Sequence, residues 1–194
     1  MRMRRGRTAV VAVAAAVAVA GGGSAHAVPE RAAPAPLTGR WERVNTCQEL
    51  VHALARHGLR PLAPAMLAGN GYVTGSAAQI ARRRNVCQGA VPRRHSHFFR
   101  ADGQFGSLDF ADRQVDDGPW RIVGENTVRI GRPPGEGTFR MRIEGGRLRL
   151  QPIIPAAHKR QALAHPLRFS AAGWMVSVAF PGHAWRKVPC GQWC

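Results

Sequence analysis

From His95 onward the chain alternates apolar and polar residues with a period of two, in short runs divided by turn-forming residues. Phe139, Met141 and Ile143 fall on one side of their run, and Arg140 and Arg142 on the other. Leu148 and Leu150 likewise oppose Arg147 and Arg149, and Val128 and Ile130 oppose Arg129. Successive side chains of a strand point to opposite faces, so each run reads as a strand with one buried face. Residues 95–100 and 104–110 flank Ala101-Asp102-Gly103, and residues 119–123 and 127–131 flank Gly124-Glu125-Asn126. Residues 138–143 and 147–153 flank Glu144-Gly145-Gly146, which completes three hairpins. Beyond a loop holding Pro155 and Pro166, residues 174–180 and 185–188 read as two further strands. With residues 37–44 as the first, about nine strands joined by short turns predict an antiparallel up-and-down meander. Curled into a barrel, it places apolar residues inside and arginines outside. The inverse arrangement, arginines around an interior anion, buries many unpaired cations at heavy cost.

Between the first strand and His95 the signals are helical. Thr46 and Glu49 have capping-box spacing, Leu50, Val51 and Leu54 form an apolar face, and Gly58 stands where a helix stops. Shorter helices are predicted over residues 61–68 and 76–83, with a turn-rich stretch between them.

The first 27 residues have the three parts of a secretory signal peptide. Arg2, Arg4, Arg5 and Arg7 precede an apolar run over residues 8–20, and Ala25-His26-Ala27 follows a glycine triplet. The run is too short for a membrane span, and no cysteine stands at the cleavage position for a lipid anchor. Residues 28–36 form an Ala/Pro-rich flexible leader, and residues 37–194 one domain without a transmembrane segment. Cleavage removes four arginines and no acid from a net charge of +17, so the exported chain stays strongly basic. A basic exterior attracts anionic polymers and surfaces. Here the arginines are scattered along the chain and lysine is confined to Lys159 and Lys187, a skew that GC-rich coding also produces. Four cysteines in an exported chain predict two disulfides, with three connectivities open. Cys47–Cys87 and Cys190–Cys194 are the favoured pairs, bracing the helical region and the carboxyl terminus.

Candidate site residues are few. His95 and His97 share one strand face with Phe99, a spacing that metal ligands use, but no third ligand of defined spacing accompanies them. His52, His57, His158, His165 and His183 are unplaced. The bland reading, polar strand residues without a metal, is therefore preferred. Asp109, Asp112, Asp116 and Asp117 match no calcium loop, and Asp116-Asp117-Gly118 reads as a turn. Gly75-Ser76 and Gly106-Ser107 lack the second glycine of a nucleophile elbow, and no phosphate-cradling or dinucleotide loop occurs, so no cofactor is expected and binding is favoured over catalysis. Five tryptophans are available for core or pocket: Trp41, Trp120, Trp174, Trp185 and Trp193, the last expected to be exposed.

Gly39-Arg40-Trp41 on a first strand that leads into such a meander resembles the lipocalin-like (calycin) β-barrels. The resemblance implies that Trp41 plugs one barrel end and that Arg186, on the last strand, packs over it. The helical insertion at 46–83 departs from the usual lipocalin, which has a loop there. The chain also resembles a group of uncharacterised secreted actinomycete proteins through Asn45 to Leu50, His95 to Phe99 and Ala101 to Gly106. That group implies a fold more than an activity. The expectation is a secreted, monomeric barrel that binds a small, largely apolar ligand, with His95, His97, Phe99, Trp120 and Trp174 as candidate contacts. A cationic module docking on cell-wall, membrane or nucleic-acid anions is the alternative, and a metal-dependent protein or enzyme using His95 and His97 is a third reading.

Overall fold

Thr46 ends the first strand and starts the first helix, and that local switch sets the plan of the molecule. A computed structural model describes residues 36–133 and 135–194. The export signal expected over residues 1–27, and residues 28–35, lie outside the described residues. Strand β1 (Gly39–Asn45) is followed directly by α1 (Cys47–Arg56). Thr46 accepts a hydrogen bond from the Glu49 amide while the Glu49 carboxylate accepts from the Thr46 amide, the reciprocal cap anticipated from the spacing. A 3-10 turn (Arg60–Leu62), α2 (Ala63–Gly69) and α3 (Ala77–Ala81) complete the insertion. Then come β2 (Arg93–Phe99), β3 (Gln104–Leu108), β4 (Gln114–Gly124) and β5 (Thr127–Ile130). The chain continues through β6 (Gly137–Glu144), β7 (Arg147–Pro152), α4 (Ala156–Ala164), α5 (Ala171–Ala179) and β8 (Trp185–Val188).

The strands pair in chain order and β8 closes on β1, giving an eight-stranded antiparallel up-and-down barrel of lipocalin-like architecture. The turns β2–β3, β4–β5 and β6–β7 are tight and gather at one end. The connections carrying helices, β1–β2 and β7–β8, leave from the other, so all five helices gather there. Inside, Trp41, Phe99, Phe105, Trp120, Phe139, Leu148 and Trp185 are buried, and the same core runs on into Leu50, Leu54, Leu62 and Met66 of the helical layer. Helix α5 seats against α2 at Gly173, where an added Cβ would lie 2.5 Å from the Met66 sulfur. Among the described residues no helix is long and apolar enough to cross a membrane. Both disulfides pair as favoured, Cys47 with Cys87 and Cys190 with Cys194.

Several expectations are corrected. Residues 174–180 are not a ninth strand but belong to α5. Residues 171–180 are apolar on every side, so periodicity cannot separate strand from helix. Ser170 settles the matter by capping the Gly173 amide. Residues 156–164, taken as loop because of the flanking prolines, form α4. Pro155 stands immediately before its first residue and Pro166 just beyond its end, so the prolines bound a helix. Asp116-Asp117-Gly118 lies within β4, opposite Ser107, Gly106 and Phe105. The turn falls earlier, where the Asp109 carboxylate accepts from the amides of Ala111 and Arg113. Trp193 stacks on Phe98 with centroids 5.6 Å apart and is partly covered.

Trp41 is fully buried with its indole N–H donating to the Leu37 carbonyl, as a barrel plug should be. The cation over it is Lys187, 5.4 Å from the ring centroid, and not Arg186. Alternation decides this. Lys187 pairs with Trp41 across the closing strands and shares its face, whereas Arg186 pairs with outward-facing Glu42. Gly39, at φ +132°, leaves room for the Lys187 stem, whose Cε would lie 2.8 Å from a Cβ there. The outward arginines of β5–β7 follow the expected alternation. Arg43 is the exception. It points inward beneath Phe180 and Trp185, where the Phe180 carbonyl and Glu49 carboxylate satisfy it.

Candidate functional site

Residues paired across adjacent strands point the same way, so register alone assembles a polar row inside the barrel. His97 of β2 faces Ser107 of β3, which faces Asp116 of β4. His95 stands two residues nearer the helical end on the same face. From the opposite side α5 crosses this end and brings Trp174, Ser177 and Val178 against the row.

The contacts fix chemical states. The Val178 carbonyl can only accept, so His97 carries its proton on Nε2 and donates to it at 2.9 Å. Nδ1 of His97 then accepts from the Ser107 hydroxyl, also at 2.9 Å. The ring is fully buried, and burial holds its pKa well below the usual histidine value, so it is neutral at physiological pH. Trp174 Nε1 donates to an Asp116 oxygen at 2.6 Å and the Ser177 hydroxyl donates to the Trp174 carbonyl at 2.9 Å. Burial pushes the Asp116 carboxyl up, with the indole N–H working in the opposite direction. His95 packs edge-on against His97, 5.0 Å between centroids. Burial pushes its pKa down to about 4, so it too is neutral.

Between α5 and the β2–β4 wall lies a cleft of about 670 Å3. Its wall on the strand side carries His95, Gln104, Ser107 and Asp116, and the helix side offers Trp174 and Val178. Val115 and Phe169 stand at its rim, 58% and 62% exposed. Asp117 and Arg132 also line it, so the site combines apolar area with both uncharged and ionisable groups able to donate and accept hydrogen bonds.

Of the residues singled out from sequence, the structure places His95 and Trp174 on the cleft. His97 is buried directly behind Ser107. Phe99 and Trp120 pack on each other, 5.5 Å between centroids, in the core toward the tight-turn end, and do not line the cleft. Asp116, read as part of a turn, and Ser107, set aside as lacking a nucleophile elbow, also belong to the site, as do Gln104 and Ser177, which carried no motif. Parity carried a usable signal for two of them: Ser107 shares the period of Phe105, and Asp116 that of Trp120. Both nitrogens of His97 are engaged, which leaves no lone pair for a metal, and among the described residues no group of three His, Cys, Asp or Glu side chains is placed to hold one. The Ser107–His97 pair has the form of a nucleophile beside a base, with both side chains buried, Ser107 at 2% and His97 at 0% exposure.

Compared with known protein families, with characterised proteins and with solved structures, the chain matches none.

Proposed function

We propose that this protein is a secreted, lipocalin-like binding protein that holds a small, largely apolar molecule in the mouth of its barrel without transforming it. The observation that carries this reading is the cleft between α5 and β2–β4. Its volume of about 670 Å3 falls in the range of roughly 300–1,000 Å3 typical of small-molecule sites. One wall is aromatic and aliphatic and the other presents a few convergent polar groups, the division that lets a site bury an apolar body and fix one polar end. In this reading Trp174 stacks on the ligand, His95 and Asp116 bond its polar end, and His97, Phe99 and Trp120 stiffen the wall behind. Secretion is supported by the amino-terminal pattern and by two disulfides, bonds that persist in oxidising compartments.

Titration with the uncharged fluorophore N-phenyl-1-naphthylamine tests the site. Saturable one-to-one binding, with energy transfer from tryptophan that drops in Trp174→Phe, is expected. Ala171→Trp, which fills the cleft from the first turn of α5, should abolish binding while leaving the thermal transition in place. Unchanged binding in Ala171→Trp would sink the assignment.

A further inference from the structure

The arginines that look scattered along the chain are collected by strand register on one face of the barrel. On the outer side of β6, β7 and β8, Arg142 sits directly opposite Arg149, and Arg147 directly opposite Arg186. Arg140 precedes Arg142 by two residues on the same face. Like charges set directly opposite across strands repel, so two such pairs side by side are a cost to the fold. Elsewhere on the barrel the acids meet the arginines. Arg40 and Arg94 share Asp112 and Glu42, Arg113 has Asp109, and Arg121 and Arg129 share Glu136. On the β6–β8 face Arg140 and Arg149 have no carboxylate partner among the described residues, Arg147 faces Glu144 across the β6–β7 register while that carboxylate is ion-paired to Arg142, and Arg186 reaches Glu42 only at 3.8 Å. A groove of about 470 Å3 runs along this face, with Arg140, Arg142 and Arg149 on one bank and Arg56 of α1 on the other.

We propose that the outer β6–β8 face is a docking surface for a flexible phosphodiester polymer, read through its phosphates alone. Guanidinium groups match phosphate oxygens bidentately, and a linear anion lying along the groove relieves the arginine–arginine repulsion. No aromatic side chain stands among the outward residues of these strands to stack a nucleobase. Ile153, just beyond β7 on the period of Arg147 and Arg149, is exposed, but one apolar side chain beside so many guanidinium groups gives little area to enter a bilayer. The charge of the face favours a chain of phosphates. The surface is separate from the cleft and stands whether or not the cleft holds a ligand.

The test uses fluorescence anisotropy with a labelled poly(glycerol phosphate) oligomer. With about five phosphate contacts, the log–log salt slope is roughly −3.5, so raising salt from about 50 to about 200 mM weakens binding on the order of 100-fold. Replacing Arg140, Arg142, Arg147 and Arg149 together by Gln should flatten the slope to roughly −1 and weaken low-salt binding by more than about tenfold. A charge-matched control, Gln at Arg82, Arg84, Arg160 and Arg168, should bind as the parent does. Circular dichroism checks that both variants fold, and relief of repulsion predicts no loss of thermal stability in the first. Equal weakening in both variants would reduce the effect to net charge and overturn the proposal. So would an oligodeoxynucleotide of equal charge binding at least tenfold more tightly, or phosphatidylglycerol vesicles binding where the polymer does not.

Discussion

Burying two neutral histidines ties stability to pH, and the size of the effect follows from the site. In the unfolded chain His95 and His97 titrate near 6.5. In the folded protein desolvation drives His95 down to about 4 and His97 well below 6.5, helped for His97 by the neighbouring His95. Between pH 6.5 and the folded values the unfolded chain therefore binds protons that the native state cannot, so stability falls as pH falls. At about 1.4 kcal/mol per unit, His95 costs about 2 kcal/mol between pH 7.5 and 5.0, and His97 adds a cost of the same sign. His57, also lowered by burial, adds in the same direction, whereas Asp116, raised by burial, works against it. Comparing His95→Gln with the parent reads the His95 contribution. Urea unfolding at both pH values should show the parent losing about 2 kcal/mol more than the variant. Identical pH dependence in the two proteins would refute the placement of His95 as a desolvated neutral group.

Other expectations follow from single contacts. Replacing Cys47 and Cys87 by Ala opens a loop of 40 residues and should cost about 4 kcal/mol, whereas the Cys190–Cys194 pair should cost about half as much, both read from urea midpoints. Thr46→Ala removes the α1 cap and should lower stability by about 1 kcal/mol by thermal melting. Arg149→Thr removes the arginine without a carboxylate partner from the Arg142–Arg149 cross-strand pair and should leave stability unchanged or raise it by a few tenths of a kcal/mol, an advantage that shrinks in high salt.

How much could be read from the chain depended on how local each signal was. The α1 cap involves Thr46 and Glu49 three residues apart, and the hairpins join alternating runs across visible turns, so both were legible. The barrel's closure was foreshadowed by Gly39-Arg40-Trp41, but which cation covers Trp41 turned on a one-residue parity that favours Lys187 over Arg186. Helix α5 was hidden because residues 171–180 carry no polar face, and the Ser170 cap together with packing on Met66 makes the run helical. Asp116 was hidden by its own composition, since Asp-Asp-Gly favours turns until pairing with β3 holds it extended and Trp174 supplies its partner. The arginine face was hidden for a third reason. Arg142 and Arg149 are seven residues apart in the chain and become neighbours only through the β6–β7 register.

The most direct measurement of a ligand in the cleft is native mass spectrometry of the protein exported from its expressing cells, with Ala171→Trp recorded alongside. One non-covalent adduct per chain is predicted for the parent, together with a mass showing both disulfides closed, and the adduct should be missing from the variant. A bare parent chain, or an adduct that survives unchanged in Ala171→Trp, would contradict a ligand bound between α5 and the β2–β4 wall.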